Sequence, residues 1–108
     1  MTDHKAVEEY ILSMPNSRLE HPFDEATAVY KAANDKMFAL IAEGSKPLRL
    51  SLKCDPNLAQ LLREKYESVL PGYHLSKRHW NTILLTGQLS DDEVRDLIRH
   101  SFELVNNK

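Results

Sequence analysis

Leu48-Arg49-Leu50-Ser51-Leu52-Lys53-Cys54-Asp55-Pro56 is the stretch that decides the fold class, because it predicts a β-strand that passes directly into an α-helix. Leucine stands at every second position from 48 to 52, with polar residues between, which is the period-two pattern of a strand with one buried face. Asp55 and Pro56 then form a helix start, since the aspartate caps free backbone N–H groups and proline fits the first helical position. We expect Arg49 and Lys53 to share the solvent face of this strand.

Two more helices are predicted at the ends of the chain. The first runs from about Asp3 to Met14, with apolar residues three and four positions apart, and Pro15 stops it. The last begins at Ser90–Glu93, which has the form of a capping box, and runs to about Val105.

Strands are predicted for most of the intervening sequence. Short turn-forming pairs separate them, and Ser76–Arg78 forms the bend of the last pair. Residues 16–27 mix polar and charged side chains and are predicted to be a connecting loop. The predicted strands are Ala28–Ala33, Lys36–Glu43, Leu48–Cys54, Val69–Leu75 and His79–Thr86.

The predicted element order is helix, three strands, helix, two strands, helix (α-β-β-β-α-β-β-α). Strands joined by short turns pair antiparallel, so we predict an α+β protein with a five-stranded antiparallel sheet and three helices packed on one face. At 108 residues, a single domain spanning 1–108 is expected, which is long enough for one core without disulfide or metal staples.

Composition indicates a globular protein of the cytoplasm. The hydrophobic content of 42% and the charged content of 28% are ordinary for such a chain. The only cysteine, Cys54, excludes an internal disulfide and fits a reducing compartment. No apolar run approaches the roughly 20 residues that cross a bilayer. We therefore expect a cytoplasmic protein with no membrane partner; monomer and weak homodimer stay open.

The formal net charge of −2 hides an uneven distribution. Residues 46–80 carry seven Lys and Arg against three Asp and Glu, a charge of +4, whereas residues 1–45 carry −4 and residues 81–108 carry −2. A basic segment on an acidic protein steers an anionic partner to one face.

Pro71–Asn81 combines this charge with aromatic side chains, since it contains two His, a Lys-Arg pair, a Tyr and the only Trp. Cations beside flat rings suit phosphates and stacked bases, or an acidic protein surface. Lys77 and Arg78 at the bend are the best candidates for phosphate contacts. The alternative is a solvated hairpin whose charges keep the protein soluble. Arg49 and Lys53 add two cations about 13 Å apart along their strand.

Trp80 is interpreted as a core residue rather than as a platform for a base, because a lone Trp entering a strand is usually buried. His79 and Asn81 lie on the opposite strand face and are then expected to be exposed to a ligand. His74 is expected to bond to the backbone, and with His79 and Cys54 it matches no zinc pattern. Without a Gly-rich phosphate loop or a nucleophile elbow, we predict no enzyme, no metal and no cofactor.

A family resemblance covers nearly the whole chain and rests on four stretches: Leu52–Pro56, Pro71–His74, Ser76–Asn81 and His100–Val105. Met37-Phe38-Ala39 also fits this resemblance. Together they resemble the MmcQ/YjbR-like family of small bacterial proteins. The resemblance implies a fold similar to secretion-chaperone-like α+β domains, and DNA binding through a proposed double wing of β-hairpins. Relatives often carry Gly in the turn after the first strand, where this chain has Asn34-Asp35, which can adopt the same backbone.

The leading hypothesis is a small DNA-binding protein that contacts the phosphate backbone through a basic β-hairpin surface. The last predicted helix starts with acidic residues, so backbone contact is favoured over base reading. One alternative is a protein-interaction or chaperone-like module that uses the same surface, and another is a small-ligand or enzyme cleft beside Tyr73, His74 and His79. The predicted nucleic-acid-binding residues are Lys46, Arg49, Lys53, His74, Lys77, Arg78, His79 and Asn81.

Overall fold

An antiparallel sheet of six strands, in the order β1-β2-β3-β4-β6-β5, organises the chain. The structure is a computed structural model that describes residues 1–106. The α+β class and the packing of the helices against the sheet are confirmed. The elements are α1 (His4–Leu12), β1 (Arg18–Glu20), β2 (Thr27–Lys31), β3 (Met37–Ala42), β4 (Arg49–Lys53), α2 (Pro56–Lys65), β5 (Val69–Pro71), β6 (Trp80–Leu84) and α3 (Asp91–Asn106).

The sheet has one strand more than the five predicted, because β1 lies in the segment expected to be a loop. Three residues are too few to show a period of two, so this strand leaves no pattern in the sequence. Ion pairs hold it at the sheet edge instead: Glu20 accepts hydrogen bonds from Arg18 of its own strand and from Lys31 of β2. These two partners also lower the pKa of the Glu20 carboxyl.

One face of the sheet forms the main core with the helices. Directly paired residues in an antiparallel sheet lie on the same face, and the pairs Leu50↔Ile83 and Ala39↔Leu52 both point to the helices. Helix α3 packs on β3 and β4, and α2 packs on β5 and β6. No helix among residues 1–106 combines the length and apolar character needed to span a membrane.

The helix starts predicted from the sequence are confirmed. The Asp55 carboxylate accepts hydrogen bonds from the N–H groups of Asn57 and Leu58 at the start of α2. At the start of α3, Glu93 accepts from the Ser90 N–H at 2.9 Å, and the Ser90 hydroxyl accepts from the Glu93 N–H at 3.1 Å. This reciprocal pair is a capping box.

Trp80 belongs to a second, smaller apolar cluster on the sheet face away from the helices. Its side chain is 8% exposed and packs with Val29 and Leu40, with Leu75 against them. The prediction that Trp80 is a core residue is confirmed. The consequence is that this sheet face, which we call the open face, is not solvated throughout.

The connection from β5 to β6 is a loop over residues 72–79 and not the tight hairpin predicted, since β5 ends at Pro71. Gly72 lies against Trp80, whose carbonyl oxygen accepts the Gly72 N–H at 2.9 Å. A Cβ atom at position 72 would lie 2.7 Å from the Trp80 Cβ, so only glycine allows this approach. Beyond it the chain turns twice and places Leu75 on the open face.

Candidate nucleic-acid interface

None of the seven cations of residues 46–80 forms an ion pair with another residue in the described range 1–106, whereas outside this segment only Lys5 and Lys36 lack one in that range. Outside this segment, acidic side chains pair with Arg18, Lys31, Arg95 and Arg99. An uncompensated cation keeps its full field for an external anion. The cations of the basic segment therefore form no direct ion pair within the described residues, although the pKa of the Glu93 carboxyl, lowered mainly by its hydrogen bond from Tyr66, is also lowered by the charge of Lys65.

A basic concavity forms where loop 72–79 meets α2. Arg63 donates a hydrogen bond to the Lys77 carbonyl oxygen at 2.7 Å, and the Lys77 ammonium donates to the Gly72 carbonyl oxygen at 3.1 Å. Arg78 is exposed and makes no hydrogen bond or ion pair with a described residue. Lys77 thus partly serves to hold the loop, while Arg78 is free to contact a ligand. The concavity is lined by Pro56, Asn57, Gln60, Arg63, Lys77 and Arg78.

Arg63 was not among the residues predicted from the sequence. It lies on the same surface as Asn57 and Gln60, at the three-residue spacing that aligns side chains on one helix face. Arg63 can be assigned to the concavity from this spacing only when the position of α2 beside the loop is also known. The spacing alone did not indicate which face of α2 would meet the loop.

Arg49 and Lys53 lie at opposite ends of β4 on the open face, as predicted. Between them Ser51 is buried, and its hydroxyl lies 2.8 Å from the Thr82 hydroxyl of β6. The open face is therefore not exposed to solvent between the two cations. Lys46 is exposed in the turn before β4.

Asn81 is 2% exposed, so the prediction that it faces a ligand is wrong. Its side-chain amide donates to the Ala59 carbonyl oxygen of α2 at 3.2 Å. Exposure of Asn81 was expected because burial of Trp80 on one face of β6 would leave the opposite face free. In the structure β6 is an inner strand whose two faces are covered, one by α2 and the other by loop 72–79. His79 is exposed as predicted, and its carbonyl oxygen accepts the Cys54 N–H.

Within residues 1–106 the His74 side chain makes no hydrogen bond to the backbone, contrary to what the sequence suggested. Its ring packs on the ring of Tyr73, with centroids 4.0 Å apart, and its backbone is left-handed with φ of 59°. It lies in a cavity of the open face with Arg49, away from the concavity of Lys77 and Arg78. The predicted residues therefore fall into separate groups and do not form one continuous site.

Cys54 is buried, and burial raises the pKa of its thiol to about 11. A thiol with a raised pKa is a poor nucleophile, since the thiolate is the reactive form. Within residues 1–106 no group of three or more His, Cys, Asp or Glu side chains is arranged to hold a metal ion.

Fold and surface together define a small α+β sheet protein with uncompensated cations on one loop and one strand. A family model described as YjbR matches residues 12–104, and the chain belongs to the YjbR family. It is 31% identical to the protein YjbR of Escherichia coli K12 over 99 residues, which cover 92% of this chain and 83% of that one. It is 33% identical to YbdF of Escherichia coli O157:H7 over 102 residues, covering 94% and 83%. The family resemblance found in the sequence is confirmed.

Two solved structures share the fold. The Deinococcus radiodurans protein DR2400, described by the family-model domain DUF419, superposes with a TM-score of 0.95 at 37% identity, covering 100% of this chain and 81% of that one. A protein from Pseudomonas syringae superposes with a TM-score of 0.80 at 30% identity, covering 94% and 97%. These comparisons establish the family and the fold.

Proposed function

We propose that this protein binds DNA through contacts to the phosphate backbone. The observation that carries the proposal is the set of cations in residues 46–80 that have no acidic partner in the described part of the chain. Cations without partners bind phosphates by displacing the counterions of DNA, which does not depend on base sequence. The proposed contacts are made by Lys46, Arg49, Lys53, Lys77 and Arg78, with His74 and His79 beside them.

Base reading has little support in the same surface. Trp80 is packed in the open-face cluster and Asn81 bonds to α2, so neither side chain is free to contact a base. Helix α3 opens with Asp91, Asp92 and Glu93, whose charges repel a duplex. The proposal is therefore binding with weak sequence preference and strong salt dependence.

The test is fluorescence anisotropy of labelled duplex and single-stranded DNA at 50 and 200 mM salt. Five phosphate contacts predict that binding weakens about 500-fold between these concentrations, since each contributes about 0.9 to the slope of log K against log salt. The variant Lys77→Glu/Arg78→Glu should reduce that change to about 40-fold or less and lower the affinity at both concentrations. Arg78→Glu alone separates phosphate contact from the loop contact of Lys77.

Lys5→Glu/Lys36→Glu is the matched control, because both lysines are exposed, lie outside the basic segment and give the same change in net charge. Equal losses in the two double variants would show that only net charge matters. No binding of either DNA at 50 mM salt by the folded protein would overturn the proposal. It would then favour an acidic protein partner for the same surface.

A further inference from the structure

We propose that the cavity on the open face of the sheet binds a small, flat aromatic carboxylate. The cavity has a volume of about 480 Å³, within the usual range for small-molecule sites of about 300–1,000 Å³. It is distinct from the basic concavity of Lys77 and Arg78 and shares Arg49 and His74 with the proposed DNA surface.

The cavity is built on sheet strands and closed by two loops. Leu40 and Ala42 of β3, Ser51 of β4 and Thr82 of β6 form its floor. The β1–β2 loop contributes Phe23 on one side, and loop 72–79 contributes Tyr73, His74 and Leu75 on the other. A site whose floor is a rigid sheet and whose walls are loops holds a ligand without rearrangement of the core.

Two aromatic side chains from these loops indicate a planar ligand. Phe23 and Tyr73 are each 63% exposed, which makes them the most exposed large apolar side chains of the described residues. The Tyr73 ring is held against His74, whose left-handed backbone is uncommon for a residue other than glycine. Strained residues of this kind occur often at ligand sites. Stacking a flat ring on these faces would remove them from water.

The floor favours an apolar ring over a sugar. The hydroxyls of Ser51 and Thr82 bond to each other at 2.8 Å, and the Thr82 hydroxyl also accepts the Tyr73 N–H at 3.2 Å. These polar atoms already have partners inside the protein. Leu40 and Ala42 offer only apolar surface beside them. A ligand rich in hydroxyl groups would find few free partners there.

The charges of the lining favour a monoanion. Arg49 is its only Lys or Arg and has no ion pair among the described residues, and a guanidinium binds a carboxylate through two parallel hydrogen bonds. Asp24 also lines the cavity, and its carboxylate accepts the Ala26 N–H at 2.9 Å. A second negative charge on the ligand would be repelled by Asp24, so a carboxylate suits the cavity better than a phosphate.

The probes are 2-naphthoate, its neutral analogue 2-naphthamide and the dianion 2-naphthyl phosphate, each titrated into ¹⁵N-labelled protein and followed by NMR. We expect naphthoate to shift the amide signals of residues 21–27, 40–42, 49–51 and 73–75. Its affinity should exceed that of the amide about tenfold, the value of one charge-assisted hydrogen bond. The phosphate should bind more weakly than naphthoate.

Four variants test the location and its independence from the DNA proposal. Arg49→Met should abolish the preference for the acid over the amide. Ala42→Leu should weaken the binding of both compounds, because the larger side chain would fill space at the floor of the cavity. Arg78→Met, the matched control outside the cavity, should leave both affinities unchanged. Lys77→Glu/Arg78→Glu should also retain naphthoate binding, so that this proposal and the DNA proposal can fail separately. Equal affinity for acid and amide, shifts elsewhere, or no shifts at 5 mM probe would overturn the inference.

Discussion

The Ser101 hydroxyl of α3 takes the place of one backbone hydrogen bond between β3 and β4. Ser101→Ala should reveal how much this contact contributes to the free energy of unfolding. The side chain is fully buried, its hydroxyl donates to the Phe38 carbonyl oxygen at 2.5 Å, and it accepts the Lys53 N–H at 3.0 Å. The ladder between β3 and β4 stops one position earlier, at Ala39 and Leu52. The hydroxyl therefore satisfies two backbone groups that the strands leave unpaired.

The loss expected from Ser101→Ala follows from those two contacts. A buried donor or acceptor left without a partner costs about 1–3 kcal/mol, so two such groups predict a loss of about 2–6 kcal/mol in the free energy of unfolding. For a domain of this length 1 kcal/mol corresponds to about 4 °C in Tm, which gives a decrease of about 8–24 °C. Removal of the small hydroxyl itself leaves little cavity to add to this cost.

Urea unfolding followed by circular dichroism measures the change, with Ser76→Ala as the control. Ser76 is exposed and its side chain makes no hydrogen bond with a described residue, so the control should lie within about 0.5 kcal/mol of the parent. The slope of unfolding free energy against urea should stay the same in both variants. A loss below 1 kcal/mol in Ser101→Ala, at unchanged slope, would refute the reasoning.

Three further predictions test the core and its ionisation. Gly72→Ala should lower stability by about 1–3 kcal/mol, because its Cβ would meet the Trp80 backbone and Cβ; an unchanged urea midpoint would contradict the close approach. Trp80 emission should be blue-shifted, and saturating DNA should quench it little, since the indole is buried; strong quenching would instead indicate stacking on a base. Burial raises the pKa of Cys54 to about 11, so the folded state keeps its thiol proton more tightly than the unfolded state. The free energy of unfolding should therefore fall as the pH rises from about 9, by about 2 kcal/mol at pH 11 relative to Cys54→Ala; parallel pH profiles for the two proteins would show that the thiol does not titrate in this way.

Local sequence patterns were sufficient for the elements whose signals lie within a few residues of one another. The alternation of Leu50 and Leu52 and the cap at Asp55 depend only on neighbouring residues, and both predictions are confirmed. The capping box at Ser90 is of the same kind. Short-range chemistry predicts where such elements begin because no distant residue has to be placed first.

The errors arise where distant parts of the chain decide the structure. Asn81 is buried because α2 covers its side of β6, and nothing near residue 81 in the sequence shows that. Likewise, β1 is held by ion pairs with β2, and His74 reaches the cavity of Arg49 only because loop 72–79 folds over the open face. The candidate site could be predicted as a set of charges but not as a geometry.

Two of the sequence signatures of the family contact each other in the structure. This contact distinguishes residues that stabilise the shared fold from residues that are available to bind a ligand. Lys53 and Asp55, in the signature Leu52–Pro56, bond through their N–H groups to the side chains of Ser101 and His100 in the terminal signature. These contacts dock α3 on the junction of β4 and α2. Both signatures are therefore explained by the fold alone, without a ligand.

The residues that such contacts leave unexplained are the ones to which the two proposals assign ligand binding. Arg78 and Arg49 have no acidic partner among the described residues, and the rings of Phe23 and Tyr73 are exposed and lie outside both apolar clusters. A residue whose side chain stabilises nothing in the fold can change its ligand preference without loss of stability. If Ser101→Ala lowers the Tm while Arg78→Glu and Arg49→Met keep the parent Tm, the residues proposed to bind ligands are not the ones that stabilise the fold.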